Sequence, residues 1–123
     1  MSSVDCKPKV DGFARLYRAL CSSCSGFKAA WRREAAFRQE LCAAALLFPL
    51  AWFLGDSAGD RALLIGSVAF VLIVELINTA IEATVDLISP AHHPLAAIAK
   101  DTASAAVLGA ILVSACVWIA VLW

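Results

Sequence analysis

Three long apolar segments follow one another along the chain, separated only by short polar breaks. The first is centred on Leu41–Leu54, the second runs from Ala62 to Ile88, and the third, Thr102–Trp123, contains no charged residue. A helix of about 20 apolar residues crosses the core of a bilayer, so the first segment suffices once it is extended back to Ala35. Because 62% of the residues are hydrophobic and only 16% are charged, a water-soluble domain is excluded. The sequence therefore predicts transmembrane helices over 35–54, 62–88 and 102–123.

A further helix is predicted before these spans, over residues 10–33. Its apolar side chains recur at steps of three and four, which places them within about 100° of a helical wheel. Cations and serines take the other side, as is typical of a helix lying in the headgroup layer. Residues 1–9 are expected to form a disordered tail. We predict an all-α membrane protein of one domain, with an N-terminal amphipathic surface helix plus three transmembrane helices. The apolar positions of the surface helix are Phe13, Leu16, Tyr17, Leu20, Cys24, Phe27 and Trp31.

Charge is distributed unevenly along the chain. Residues 1–40 hold eight Lys and Arg and four acidic residues, whereas residues 41–123 hold two and six. Cytoplasmic segments of membrane proteins are enriched in basic residues, so the N-terminus is predicted to face the cytoplasm. The break at 89–101 then lies on the same side. Because the apolar residues among these charges are periodically ordered, we interpret the basic segment as a membrane-surface element and not as a nucleic-acid arm.

The second span carries a stripe of polar residues. Spacing of i, i+3, i+7 and i+11 confines them to about 80° of the helix surface. One ionised side chain at the centre of a span costs about 2.5–3.5 kcal/mol, so several on one face require a shared compensating environment. At about 1.5 Å per residue, the stripe runs from the middle of the membrane to its cytoplasmic surface. Its last residue is interpreted as capping or solvating the end of the span. The four residues are Glu75, Asn78, Glu82 and Asp86.

More polar residues are predicted at the same membrane face. Glu34 precedes the first span, and Lys100 and Asp101 lie at the start of the third. One or two carboxylates commonly hold Mg²⁺ together with phosphate oxygens, and Glu34, Glu82 and Asp101 are candidates. Phosphoryl transfer also needs a cation for the phosphates and a base for the accepting hydroxyl. The chain has neither GxxxxGK[ST] nor GxGxxG. The residues alone therefore leave open catalysis, polar contacts between helices, and an ion or solute pathway.

Three stretches of the chain carry a family resemblance. They are Ala29–Glu40 (AAWRREAAFRQE), Val74–Ala83 (VELINTAIEA) and Ala99–Val107 (AKDTASAAV). These stretches resemble the signature segments of the small integral-membrane diacylglycerol kinases of bacteria, and the likeness extends from Gly12 over nearly the whole chain. The resemblance implies ATP-dependent phosphorylation of diacylglycerol to phosphatidic acid, with Mg²⁺, by a homotrimer in the inner membrane. A branch resembling undecaprenol kinase shares the ExxNxxxE pattern. Undecaprenol kinase is thus one alternative, and a small oligomeric transporter is the alternative from another class.

The resemblance also implies roles for the polar stripe and its neighbours. Glu75 would be the general base that takes the proton of the lipid hydroxyl, and Asn78 would orient the polar cluster. Glu82 and Glu34 would bind the metal ions that bridge the ATP phosphates.

The remaining roles implied by the resemblance concern nucleotide and lipid. Lys100 and Asp101 would contact the nucleotide, and the loop Ala91-His92-His93 would border it. Arg15 on the surface helix would close over the site. The substrate side is assigned to Arg15, Lys28, Trp31, Glu75 and Ser104. The chain departs from the pattern at Ser22-Ser23-Cys24, where aromatic residues are expected, and at Arg33, an added charge beside the metal ligand.

Small residues recur at steps of four in the third span, at Ala106, Ala110 and Ser114. Such spacing lets helices approach closely, so this face is expected to pack against another span. Three spans can barely enclose a polar stripe. Burial of Glu75 and Glu82 therefore favours an oligomer.

Overall fold

The computed structural model describes residues 11–123, nearly all of which lie in four helices. Among these residues there is no β-strand. Three of the helices are long and apolar enough to cross a membrane, which confirms the predicted fold class. The predicted tail at residues 1–9 lies outside the described part of the chain. The helices are α1 (Gly12–Arg33), α2 (Ala35–Leu54), α3 (Ala58–Ile88) and α4 (Pro94–Leu122).

Helices α3 and α4 begin earlier than the spans predicted within them. Helix α3 starts at Ala58 because Ser57 and Asp60 form a capping box, in which the Asp60 N–H donates to Ser57 Oγ at 3.1 Å. Helix α4 starts at Pro94, since proline at the first helical position lacks an N–H that would have no partner in the helix. With 31 and 29 residues, the two helices are about 46 and 44 Å long. Both exceed a hydrocarbon core of about 30 Å.

A tight turn joins α2 to α3, and the Arg61 side chain closes it. Its Nε–H donates to the carbonyl oxygens of Trp52 and Gly55, each at 3.1 Å. The guanidinium carbon lies 5.0 Å from the centre of the Trp52 ring. A Cβ added at Gly55 would lie 2.6 Å from Arg61 Cγ, so this approach requires glycine. The sequence marks Arg61 only as a turn residue, whereas the structure makes it the link between the two helices.

Helices α3 and α4 share the most extensive contact of the fold. The hydroxyl oxygens of Ser67 and Ser114 lie 3.1 Å apart, and the Trp118 Nε1–H donates to the Leu64 carbonyl oxygen at 3.2 Å. Each polar group thus has a partner within the apolar interface, where an unpaired group would be costly.

The small-residue face of α4 differs in part from the predicted one. Ala110 and Ser114 are buried as expected, but Ala106 is exposed and Ala103 is buried in its place. Residues four apart are rotated by about 40° relative to each other around the helix axis. A row of residues spaced by four therefore turns away from a neighbouring straight helix after a few steps. The buried positions alternate steps of four and three through Val107, which is half-buried.

The apolar face of helix α1 is exposed along most of its length. Its buried residue is Ala30, where it meets the other helices. An uncovered apolar stripe on an amphipathic helix next to membrane spans is suited to the headgroup layer. The exposed residues of the stripe are Phe13, Leu16, Tyr17, Leu20, Phe27 and Trp31.

Arg38 fixes the corner between α1 and α2. A single extended residue, Glu34, separates the two helices. The Arg38 Nη1–H groups donate to the carbonyl oxygens of Trp31 at 2.7 Å and Arg32 at 3.4 Å. These two carbonyls lie in the last turn of α1, beyond which the helix supplies no further N–H to pair with them. Because Phe37 is also buried at this corner, the position of Glu34 is set by the surrounding packing.

Replacing Arg38 by alanine is expected to lower the free energy of unfolding by about 1–2 kcal/mol, because charge-assisted hydrogen bonds to two carbonyls are lost. Thermal unfolding in detergent micelles measures the change. Gln39→Ala, at the exposed neighbouring position, is the control and should stay within about 0.5 kcal/mol of the wild type. Equal stabilities of the two variants would contradict the role of Arg38.

Candidate active site

Glu34 and Glu82 lie near each other at one membrane face, where the start of α2 meets the last turns of α3. Their carboxyl groups interact electrostatically with each other. Burial, and next the charge of Glu82, raise the pKa of Glu34 above its ordinary value, while Arg33 and Arg38 act in the opposite direction. Two acidic groups that repel each other when ionised thus meet at this point.

Glu75 and Asn78 lie deeper along the same face of α3. Only 2% of Glu75 and 7% of Asn78 are exposed. The Asn78 Nδ2–H donates to Glu82 Oε1 at 3.5 Å, and the Glu75 carboxylate interacts electrostatically with those of Glu34 and Glu82. The first three residues of the predicted stripe and Glu34 therefore form one group, which we call the carboxylate cluster: Glu34, Glu75, Asn78 and Glu82. The fourth stripe residue, Asp86, lies outside it.

The amide oxygen of Asn78 is an unusual feature of the carboxylate cluster. It is buried and has no hydrogen-bond partner within residues 11–123. Buried polar atoms are nearly always paired, so this acceptor is suited to a ligand hydroxyl or a water molecule.

The donor set formed by Glu34 and Glu82 fits a magnesium ion. Mg²⁺ is usually bound by one or two carboxylates together with phosphate oxygens and water. A divalent cation would remove the repulsion that helps to raise the pKa of Glu34. Within residues 11–123, no group of three or more His, Cys, Asp or Glu is arranged to hold a metal. The further ligands would therefore come from nucleotide and solvent.

A polar cleft of about 300 Å³ lies where α3 turns into α4. Its walls include most of the residues predicted to contact nucleotide. Lys100 forms an ion pair with Asp86 Oδ1, and Asp86 Oδ2 lies 3.8 Å from Arg33 Nη2. Among the lining residues are Asp86, Ala91, His92, His93, Lys100 and Asp101.

His93 has a structural function at this cleft. It is the N-cap of α4, and its Nδ1 accepts a hydrogen bond from the Leu95 N–H at 3.1 Å. This contact satisfies one of the unpaired N–H groups at the start of the helix. His92 is exposed beside it. His93 therefore borders the cleft as a capping residue, with one ring nitrogen already engaged.

Apart from Glu75, the predicted lipid-side residues lie outside the carboxylate cluster. Lys28 and Trp31 border a separate depression of about 470 Å³ at the corner between α1 and α2. Arg15 is exposed on α1 and Ser104 is exposed on α4. Their assignment to substrate stays a prediction.

Glu40 is a further acidic residue near the site, for which the sequence pattern predicts no role. Its carboxylate interacts electrostatically with that of Glu75, and its Oε2 is buried without a hydrogen-bond partner among residues 11–123. It borders an apolar groove of about 360 Å³ between α2, α3 and α4 that extends to Trp118. The signal was present, because an acidic residue within a predicted span is costly and marks a candidate functional position.

These features define a polytopic α-helical membrane protein whose carboxylates gather within and beside its spans. A family model described as prokaryotic diacylglycerol kinase matches residues 21–122, and the chain belongs to that family. The chain is 49% identical over 112 residues to a diacylglycerol kinase of Escherichia coli, covering 91% of this chain and 92% of that protein. Identity to the diacylglycerol kinase of Pseudomonas aeruginosa is 47% over 111 residues, or 90% of each chain. Identity to the diacylglycerol kinase of Helicobacter pylori is 42% over 118 residues, which cover 96% of this chain and 92% of that protein. The resemblance found in the sequence is confirmed.

Proposed function

We propose that the protein is a lipid kinase that transfers the terminal phosphoryl group of ATP to the free hydroxyl of diacylglycerol and forms phosphatidic acid. Membership of the family, and relatives named diacylglycerol kinase in several bacteria, support this reaction. The observation in this molecule that carries the proposal is the buried carboxylate of Glu75 beside the paired carboxyl groups of Glu34 and Glu82.

Glu75 acts as the general base. Glu75 is almost fully buried within a membrane span, at the depth of a lipid whose acyl chains stay in the bilayer. As the hydroxyl oxygen attacks the terminal phosphorus of ATP, its proton passes to the Glu75 carboxylate. The bond from that phosphorus to the bridging oxygen breaks, and ADP leaves. A positioned base of this kind contributes about 10²- to 10⁴-fold to a rate. Asn78 orients the cluster through its bond to Glu82 and offers its free amide oxygen to the substrate.

Glu34 and Glu82 hold Mg²⁺ together with oxygens of the triphosphate. When bound, the ion neutralises charge on the phosphates and on the phosphoryl group in transfer. Glu82 lies seven residues after Glu75 on the same helix, or about 10 Å nearer the membrane surface. Glu34 and Glu82 are thus placed to receive a nucleotide from water, and Glu75 is placed to receive a hydroxyl from lipid.

The nucleotide occupies the polar cleft between α3 and α4. Lys100 neutralises phosphate charge, because this cation lines the cleft and also interacts electrostatically with Glu82 of the carboxylate cluster. Arg15 closes over the site from α1. The cleft residues Asp101, Ala91, His92 and His93 border the nucleotide, and Lys28, Trp31 and Ser104 border the lipid.

The active enzyme is a homotrimer in the bacterial inner membrane, with its N-terminus in the cytoplasm. The basic residues of α1 support the orientation, and the family resemblance supports the trimer. Burial of Glu75 does not bear on the number of copies, because a single chain already reduces its exposure to 2%. The partial exposure of Glu82 leaves room for a neighbouring copy at the outer end of the cluster.

The decisive assay offers the purified protein terminally labelled ATP, Mg²⁺ and one of two lipids in mixed micelles. With diacylglycerol, label is expected in phosphatidic acid. With undecaprenol, little transfer is expected. A diacylglycerol whose free hydroxyl is methylated is the matched control and should gain no phosphate. Preferential labelling of undecaprenol would replace the proposed acceptor, and absence of label from both lipids would contradict a lipid kinase.

A further inference from the structure

Asp86 occupies a position in α3 where a negative charge is unfavourable. It lies near the C-terminal end of the helix, which carries the negative end of the helix dipole. The last turn of α3 contains no basic residue to offset it. Half of the Asp86 side chain is exposed, so packing in the interior does not account for an acidic residue at this position. Its presence therefore requires partners from elsewhere in the fold.

Two other helices supply those partners. Lys100 of α4 pairs with Asp86 Oδ1, and Arg33 in the last turn of α1 lies 3.8 Å from Oδ2. Each carboxylate oxygen thus faces a different cation. The contact with Lys100 is the closer of the two, so Asp86 chiefly determines where that ammonium group lies.

Lys100 has a second acidic neighbour on the same face of α3. Glu82 lies one turn before Asp86, and its charge also acts on Lys100. A lysine has a flexible side chain and a compact charge, so it can move between two carboxylates at this spacing. If Lys100 paired with Glu82, its ammonium group would compete with the metal ion for the carboxylate that the proposed function assigns to the metal.

We propose that Asp86 is a positioning residue of the kinase site: it holds the Lys100 ammonium at the wall of the nucleotide cleft and keeps it off Glu82. Lys100 is then free to turn toward the phosphates when MgATP arrives, and Arg33 remains to neutralise Asp86. The inference rests on the proposed function, since it assumes that Lys100 and Glu82 serve the nucleotide and the metal.

The first test replaces Asp86 by asparagine, which keeps the shape and removes the charge. The KM for MgATP is expected to rise about three- to fivefold, the effect typical of a partly exposed ion pair. The Mg²⁺ concentration for half-maximal activity should rise as well, because Lys100 then competes for Glu82. The kcat and the KM for diacylglycerol should change less than about twofold.

Asp86→Glu restores the negative charge and should restore the KM for MgATP. Equal changes in all parameters would indicate a merely structural role of Asp86 and would overturn the inference.

A double-mutant cycle tests whether Asp86 acts through Lys100. Lys100→Met alone should raise the KM for MgATP, and adding Asp86→Asn should raise it no further. Effects that multiply in the double variant would overturn the inference. Asp56→Asn removes an exposed acid from the α2–α3 turn and is the matched control, with no change expected. Should Asp86→Asn not fold, as judged by gel filtration in detergent, Asp86→Ser serves in the same cycle.

The cycle also separates failure of this inference from failure of the proposed nucleotide site. If Lys100→Met raises the KM for MgATP while Asp86→Asn has no effect, Asp86 is not a positioning residue and the nucleotide site stands. If Lys100→Met leaves the KM unchanged, the assignment of Lys100 to nucleotide is wrong, and the role of Asp86 falls with it.

Discussion

Replacing Glu75 by glutamine is expected to lower the kcat for phosphatidic acid formation by about 10²- to 10⁴-fold, because the amide keeps the volume of the side chain but cannot accept the substrate proton. The KM for MgATP should change little, since Glu75 lies deeper in the membrane than the residues assigned to nucleotide. Label transfer from ATP to diacylglycerol measures both parameters. Glu75→Asp retains a base at a slightly greater distance and should be intermediate.

Ser67→Ala is the matched control for Glu75→Gln. Ser67 is also a buried polar residue of α3, and it bonds to the Leu64 carbonyl oxygen and to Ser114. Its loss disturbs the interior of the same helix far from the carboxylate cluster, so the kcat should stay within about twofold. A Glu75→Gln enzyme with nearly wild-type kcat would refute the base assignment. An equal loss in Ser67→Ala would show that activity follows helix packing and not proton transfer.

Replacing Glu82 by glutamine is expected to raise the Mg²⁺ concentration for half-maximal activity about tenfold or more, because a charged ligand of the metal is lost. Glu34→Gln should give a similar shift, since the two carboxyl groups lie side by side. A titration of activity against Mg²⁺ at fixed ATP measures the change. Binding of Mn²⁺, followed by electron paramagnetic resonance with a non-hydrolysable ATP analogue, provides a readout that does not depend on turnover.

Asp56→Asn controls for the general loss of a negative charge in the metal titration. Asp56 is exposed in the turn between α2 and α3, so its removal should leave the Mg²⁺ requirement unchanged. An unchanged requirement in Glu82→Gln would remove this residue from the metal site.

The order and type of the helices could be predicted from the sequence, because hydropathy and periodicity report directly on burial in lipid. The starts of α3 and α4 could not be predicted from hydropathy, since capping chemistry sets them. Ser57 and Asp60 lie in a Gly/Asp-rich break, and Pro94, a residue that would break the interior of a helix, is the first residue of α4. Both signals were present in the sequence.

The carboxylate cluster was partly predictable for the same reason. Glu75, Asn78 and Glu82 share a face at fixed helical spacing, so one helix suffices to align them. The neighbours contributed by other helices required the fold. The contact of Arg33 and Lys100 with Asp86 joins three helices, and no local pattern indicates which charges meet. Glu40 was missed because it stands alone on its helix and lies near Glu75 only after α2 packs against α3.

The joint between α1 and α2 limits how this sequence can vary in length. One residue, Glu34, separates the two helices. The corner depends on this length, because Arg38 reaches across it to the Trp31 carbonyl oxygen at 2.7 Å. Insertion or deletion of one residue would change the direction in which α1 leaves α2 and would carry that carbonyl away from Arg38. Gain or loss of a codon at this point is therefore expected to tilt the apolar face of α1 relative to the bilayer.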